Sequence, residues 1–524
     1  MAHHVSRFTH HVRRSWIVTI DWTTTLQLLA PEVILAFGGL LVLGLDLILA
    51  DDRHPLLSGA SFVTLAAALI ASFFLFGQEG VVPVASGAAI GSFFVVDNMT
   101  NFFRVLVTAT SILVLLVSID YVRERSRETG EFYALLIWVT LAVVLLAGST
   151  DLIMFFLAFE FLSITSYIMV GWLRDAVPSN EGAMKYLLYG AISSAVMLYG
   201  MSLLYGATGS TSFAAIGKVF SNEAVKITPL FGVAMPALAL MLAGFGFKIA
   251  LVPFHQWSPD AYEGAPTPVA AFLSVGSKAA GFAILIRVLM TALPEFAPNW
   301  QQILVVISIL SMTVGNLVAL MQGNMKRMLA YSSIAQAGYV MMGLIAFKSS
   351  FEAGGLSGIG GVLVYLFAYL FTNLGAFIAA IAYEEATGSV TIEDYAGMVR
   401  RAPWLAGALV IFFLSLAGIP PTAGFIGKFF VFGAAINQGF IFLAVVGVIT
   451  SVISVVYYFN VVRTMFFLPA PDDVTAPVRS SPAINLALGI TVAGTLLFGL
   501  YPQPFLNLAN FGQRMISALI ALPW

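Results

Sequence analysis

The chain has 524 residues, of which 60% are hydrophobic and only 10% charged, with a formal net charge of −2 and no cysteine. Soluble globular proteins carry about a quarter of their residues as Asp, Glu, Lys and Arg, so a water-soluble enzyme, a disordered chain and a nucleic-acid binder are excluded. Without cysteine there is no disulfide framework, thiolate metal site or iron–sulfur cluster.

Residues 1–27 read as an N-terminal extension, with Arg7, Arg13 and Arg14 but no long apolar stretch ahead of a small-residue cleavage site. A bilayer core takes roughly 20 apolar residues per helix. Fourteen such stretches follow, at 28–49, 56–76, 99–121, 132–149, 152–172, 183–205, 231–252, 267–292, 301–321, 327–347, 358–383, 403–432, 438–465 and 482–501. The fold class predicted is an all-α polytopic membrane protein. Helices 1–3 occupy 28–130, a first five-helix repeat (helices 4–8) 131–292, a second (helices 9–13) 293–465, and helix 14 with a C-terminal tail 466–524. Unalternated runs such as Leu141–Leu146 do not suit a β-barrel with a polar lumen. The segment Val81–Val96, rich in Val, Ala and Gly, is too interrupted to span and predicts a hairpin or re-entrant turn.

Positive charge marks the cytoplasmic side. Loops after odd-numbered helices carry Arg53, Arg123, Arg125, Arg127, Arg174, Lys326, Arg327, Arg400, Arg401 and Arg479, whereas loops after even-numbered helices carry only Lys218, Lys226 and Lys348. Both termini are therefore expected outside. Glu32, Asp46, Arg104 and Asp120 lie within two turns of span ends and read as interface anchors.

An ionisable group at mid-bilayer costs at least about 2.5–3.5 kcal/mol, so those within the spans mark pathways or structural pairs. They are Glu160, Lys248, Lys278 and Lys428, with Lys185 one turn inside its helix. The structural alternatives are a packing ion pair for Glu160, snorkelling for Lys248 and Lys278, and an interface position for Lys428 and Lys185. Lysine suits proton transfer, because burial lowers its ordinary pKa of about 10.4 and a nearby carboxylate raises it again. Cation transport would want several carboxylates at one point, and only one is central here.

The seventh span is interrupted by Pro253 and Pro259, and the twelfth by Pro420 and Pro421 between Gly418 and Gly424. Proline removes a backbone donor, and bare backbone at membrane depth is tolerated only against protein or water. The breaks lie five spans apart, each with a lysine close by, which predicts two inverted repeats, because an odd number of spans reverses orientation. His255, at the first break, is either a hydrogen-bonded structural group or a proton carrier. Ser332, Ser333 and Gln336 form a polar stripe on the tenth helix, as helix–helix glue or as a water-holding wall. A lone transmembrane histidine cannot supply bis-histidine haem ligation, and GLSGIGG (355–361) opens a span with no strand before it, so it is no dinucleotide loop.

The segments FKIALVPFHQWSPDAYEGAPTPVAAFLSVGSK, KRMLAYSSIAQAGYVMMG and LSLAGIPPTAGFIGKFFVF resemble the antiporter-like membrane subunits of respiratory complex I. Together with EFLSITSYIMVGWLRD and NEGAMKYLLYGAISSA, they are most similar to the subunit called N in bacteria and 2 in mitochondria and plastids. The resemblance covers residues 130–465. It implies a fourteen-helix fold that moves protons while redox chemistry proceeds in other subunits. Glu160 then matches the family's helix-5 glutamate, Lys248 the helix-7 lysine that pairs with it, and Lys278 the central helix-8 lysine. Lys428 matches the helix-12 lysine near the outer exit, Lys185 a less uniform helix-6 lysine, and His255 joins them as a relay candidate. No cofactor is expected on this chain. NADH or another donor, flavin, iron–sulfur clusters and quinone would be bound by partner membrane and peripheral subunits of the same complex, in a bacterial inner membrane. Gln336, where many bacterial members have histidine, resembles the cyanobacterial and plastid form and leaves the donor open. The alternatives are a subunit of a multi-subunit Na+/H+ antiporter and a purely structural membrane subunit.

Overall fold

The computed structural model describes residues 22–49, 54–78, 80–86, 89–348, 350–351, 356–470 and 480–521. Arg53, Arg479 and most of the N-terminal extension lie outside the described residues. Among the described residues thirteen helices are long and apolar enough to span a membrane, and two shorter ones form a fourteenth, broken span. In chain order they are α1 (Ala30–Ile48), α2 (Pro55–Phe74), α3 (Asn98–Arg125), α4 (Thr129–Ala147), α5 (Leu152–Val170), α6 (Val177–Thr208) and α7, whose first half is Pro229–Ile249. The second half of α7 is Trp257–Gly264. There follow α8 (Thr267–Ala292), α9 (Pro294–Ala319), α10 (Met325–Ile345), α11 (Gly358–Thr387), α12 (halves Pro403–Ala417 and Ala423–Asn437), α13 (Ile441–Phe467) and α14 (Pro482–Leu500).

Burial sorts these helices. α8 is wholly buried and α10 and α11 nearly so, whereas α1, α2 and α6 turn most of their surface outward. Helices apolar all round occupy the centre, so the α8–α10–α11 core is where polar residues must find protein partners. The segment after α2 is an antiparallel hairpin, β1 (Gly80–Ser86) and β2 (Ala89–Val96), with a register shift at Val82/Pro83. It is tied to the α4–α5 turn by Val95 N–H to Gly148 O (2.9 Å) and Thr150 N–H to Phe93 O (3.0 Å). Beyond α14, where only a tail is expected, Gln503–Ala521 forms a further helix against α3 and α11. Its Gln513 side chain accepts from the backbone N–H and hydroxyl of Ser357, the N-cap of α11.

The described arginine-bearing loops gather at one end. The α9–α10 and α11–α12 connections pair through Met325 N–H to Val390 O and Ile392 N–H to Gly323 O, both 2.8 Å. Arg327 meets Asp260 and Glu263 there at 2.6 and 2.7 Å. We call this the arginine-rich end.

Two buried ion pairs fasten α3, one to α1 and one to α8, and the first corrects the reading of Glu32 and Arg104 as interface anchors. The Arg104 guanidinium is fully buried and bonds Glu32 of α1 at 2.7–2.9 Å and the Asn101 side chain at 2.8 Å. Their sequence position near span ends carried no information about facing, and the guanidinium fork fits a carboxylate better than a hydrated headgroup. Arg287 of α8 bonds Asp97 at 2.8 and 3.0 Å, the Thr100 hydroxyl at 2.7 Å and the Ala147 carbonyl. Removing one partner of a fully buried pair leaves an uncompensated charge, at a cost of about 3–5 kcal/mol. Asp97→Ala is therefore expected to lower the thermal stability of the protein sharply, whereas Asp97→Ala combined with Arg287→Leu recovers most of the loss. Equal melting temperatures for the single and double variants would contradict this.

Candidate functional site

The site begins with two helices that stop inside the membrane. The first half of α7 ends at Ala250 (φ 63°) and the first half of α12 at Gly418 (φ 86°). Both ends close with the same hydrogen-bond pattern. Leu251 N–H reaches Gly246 O (2.7 Å) and Ala250 N–H reaches Phe247 O (3.1 Å). Ile419 N–H reaches Leu414 O and Gly418 N–H reaches Ser415 O, both 2.9 Å. In each case a proline follows three residues later, Pro253 and Pro421. The breaks are thus structural equivalents, as the repeat predicts.

A helix end leaves carbonyls without intrahelical donors and a partial negative charge. Buried lysines occupy both ends. Lys278 Nζ donates to Ile249 O at 2.7 Å. Lys428 Nζ donates to Leu416 O and Ala417 O at 2.9 Å and to the Ser451 hydroxyl at 2.7 Å. Ile249 and Ala417 each immediately precede the left-handed residue, so the two lysines cap corresponding carbonyls from different helices. A third lysine does the same where the second half of α7 ends: Lys326 Nζ donates to Ala265 O at 2.8 Å. Only 4% of Lys326 is exposed, which corrects its reading as a loop charge. Its position next to a loop hid the fact that α10 starts inside the bundle.

Lys248 lies in the last turn of the first half of α7. Its Nζ donates to Ser163 of α5 at 2.6 Å and sits 4.5 Å from the centre of the Phe159 ring. Glu160, one turn away on α5, is half-buried, makes no ion pair within 4 Å among the described residues, and keeps a buried Oε1 without a partner there. Glu160 and Lys248 are neighbours, then, but not in contact. Lys185 is elsewhere: it is 39% exposed at the arginine-rich end, bonded to Glu181 (2.6 Å) and Asp260 (2.7 Å). His255 is half-buried between the halves of α7, with Nδ1 unpartnered among the described residues.

Polar side chains connect the two breaks. Ser274, one turn before Lys278, accepts from Asn373 of α11 at 2.7 Å. The neighbouring Thr372 bonds Ser415 of α12 at 3.0 Å. The Tyr365 hydroxyl donates to Gln336 Oε1, and Gln336 Nε2 donates to Leu416 O (3.0 Å), the carbonyl that also takes Lys428. The tenth-helix stripe acts as glue: Ser332 bonds Tyr458 of α13 at 2.5 Å, and Gln336 bonds Tyr365 of α11 and Leu416 of α12. α8 contributes a π turn at Leu273–Ser277, directly ahead of Lys278, a deformation frequent at functional sites.

A profile described as NADH:quinone oxidoreductase/Mrp antiporter, TM, matches residues 149–454. The chain belongs to this family. It is 40% identical over 484 residues to NADH-quinone oxidoreductase subunit N of Moorella thermoacetica, covering 92% of this chain and 97% of the relative. It is 42% identical over 505 residues to NAD(P)H-quinone oxidoreductase subunit 2 of Thermosynechococcus vestitus, 94% of each. A chain in the structure of respiratory complex I from Thermus thermophilus with bound aureothin superposes with a TM-score of 0.73 at 33% identity, over 91% of this chain and 98% of that one. A chain of the Mrp complex from Dietzia shares the fold, with a TM-score of 0.81 at 22% identity, over 95% of this chain and 100% of that one.

This member of the NADH:quinone oxidoreductase/Mrp antiporter family places Lys248, Lys278 and Lys428 in one buried line, with Glu160 at its edge. Sequence reasoning missed Lys326, Asn373 and Tyr365. Asn373 had a signal, an amide inside an apolar span, but Tyr365 reads as one more apolar residue. Among the described residues no group of three His, Cys, Asp or Glu side chains could hold a metal ion.

The two breaks differ at one telling position, alanine at 250 and glycine at 418. A non-glycine residue in the left-handed region costs about 1–2 kcal/mol. Ala250→Gly is expected to raise stability by about 1 kcal/mol. Gly418→Ala adds the same strain and sets its Cβ 2.7 Å from Lys428 Cδ, so it should lower stability and displace the lysine. Melting temperatures that move in the same direction for both variants would refute this account.

Proposed function

We propose that this chain is a proton-translocating membrane subunit of an NADH–quinone oxidoreductase, in which Lys248, Lys278 and Lys428 carry protons and Glu160 modulates them. One observation carries the reading: the three lysines are buried and bonded to carbonyls and hydroxyls, with no carboxylate within 4 Å among the described residues. A proton held by dipoles rather than by a fixed counter-charge responds strongly to a carboxylate that comes closer or withdraws. Glu160, half-buried and one turn from the Lys248 site, is the group placed to do so. Lys185, already paired at the arginine-rich end, anchors the second half of α7, and His255 flanks the first break as an auxiliary group.

Protons enter on this reading from the arginine-rich, cytoplasmic end, pass Lys248 and Lys278, and leave near Lys428, with both termini on the outer side of a bacterial inner membrane. The repeats are the units 131–292 and 293–465. Electron transfer through NADH or another donor, flavin, iron–sulfur clusters and quinone belongs to other subunits. This chain has no cysteine to hold a cluster, so its donor set does not fit that group and no step is routed through it here. The antiporter reading rests on the shared family profile and fold, whereas the relatives near 40% identity are quinone-oxidoreductase subunits. Co-purification of quinone-oxidoreductase subunits rather than antiporter subunits separates the two.

Lys248→Ala is expected to abolish proton pumping by reconstituted vesicles while the complex still assembles. An unchanged ratio of protons pumped to electrons transferred would overturn the relay.

A further inference from the structure

Glu384 and Glu385, in the last turn of α11, were no part of the line of lysines, yet they stand where a proton would meet it. Glu384 Oε1 accepts from the Tyr121 hydroxyl of α3 at 3.0 Å, and Oε2 accepts from the Thr267 hydroxyl in the first turn of α8. The Thr267 N–H bonds the same tyrosine oxygen at 3.3 Å. The carboxylate is thereby fixed to the top of the helix that carries Lys278, while both glutamates stay half-buried, neither sealed in nor free in solvent.

The two helices meet again further in. On α8, Thr267, Ala271, Ser274 and Lys278 follow at spacings of four, three and four and share one face. On α11, Asn373 lies three turns from Glu384, also on one face. These faces join at Thr267–Glu384 and at Ser274–Asn373. Between the two junctions lie two turns of α8, about 10 Å. Along the inner part, Asn373 Oδ1 and Ser277 Oγ are buried without a partner among the described residues, and both residues are 0% exposed. Buried polar atoms of that kind are normally satisfied by water.

We propose that Glu384 is the site at which protons are loaded from the arginine-rich end, on their way to Lys278. The inference deepens the relay reading and rests on it. The Glu384 carboxylate takes a proton from solvent and becomes a carboxylic acid. It then returns to carboxylate as Lys278 turns from amine to ammonium, the proton crossing by the Thr267, Ser274 and Asn373 groups and intervening water. Glu385, Lys326 of α10 and Tyr395 in the loop after α11 interact with Glu384 directly; beyond them, Arg125, Asp120 and Glu124 of α3 face Glu385, Glu263 of α7 faces Lys326, and Asp394 faces Tyr395. Lys326 and Arg125 keep the unloaded carboxylate compensated, and Glu385 offers a second acceptor at the mouth.

The test uses the whole complex in sealed vesicles, comparing wild type with Glu384→Gln, Glu384→Asp and Lys278→Ala. Glu384→Gln is expected to slow coupled quinone reduction and pumping together by about 100-fold, the lower range for loss of a positioned proton donor. It should also flatten the dependence of rate on pH at the arginine-rich end, and Glu384→Asp should restore both. Wild-type rate and pH profile in Glu384→Gln, with pumping abolished in Lys278→Ala, would overturn the loading site and leave the relay standing. Normal pumping in Lys278→Ala would overturn the relay itself. Should Glu384→Gln not assemble, Thr267→Val keeps the charge and removes its tie to α8, and an unchanged rate there would equally overturn the proposal.

Discussion

A helix that ends inside a membrane leaves carbonyls with neither an intrahelical donor nor water, and much of this structure is arranged around that problem. Each unmet group costs several kcal/mol in hydrocarbon. α7 and α12 create it deliberately, each stopping at a left-handed residue and restarting after prolines. Three lysines answer it, Lys278 at Ile249, Lys326 at Ala265 and Lys428 at Leu416 and Ala417. The solution is mutual. The helix end gains donors and a cation where its dipole is negative, and the lysine gains a position in the interior that no apolar environment would offer.

A carbonyl cap has a consequence that a salt bridge lacks. In an ion pair the counter-charge is permanent, so losing the proton exposes a buried anion. At a helix end, the neutral amine leaves only partial charges behind. The interior can therefore hold both protonation states of Lys278 and Lys428 without rebuilding the fold, which is what a carrier requires. The line from Ser274 through Asn373 and Thr372 to Ser415, and from Gln336 to Leu416, keeps the two caps in one polar seam across otherwise apolar helices.

Much of this was legible in the sequence, for physical reasons that differ by residue. The spans follow from hydropathy, and the breaks from proline chemistry at Pro253 and Pro421. Lys248, Lys278 and Lys428 stand out because charge is expensive in hydrocarbon. Partnership was not legible. Arg104 near a span end looks like an anchor until Glu32 is found 72 positions away in the chain. Lys326 looks like a loop charge because nothing local says that the second half of α7 ends above it. Lys185 reads equally as a relay member or an interface group, and it lies at the surface with Glu181 and Asp260. Where a side chain's meaning depends on a partner from another helix, composition gives the candidate and only packing gives the role.

The division of labour between arginine and lysine follows from the same chemistry. Arginine keeps its charge under all accessible conditions and presents a rigid fork. Both arginines buried among the first eight helices, Arg104 and Arg287, are matched with a carboxylate and further acceptors. They brace α3 against α1 and α8, on one flank of the polar seam. Lysine can give up its proton, and the buried lysines are the groups left without a carboxylate at bonding distance. Exchanging the two types would fail in both directions. An arginine at 278 would cap Ile249 with a charge that never leaves, and a lysine at 287 would forfeit the fork that holds Asp97, Thr100 and Ala147 together. On the relay reading the seam moves protons where its braces cannot, and the braces hold because they never need to.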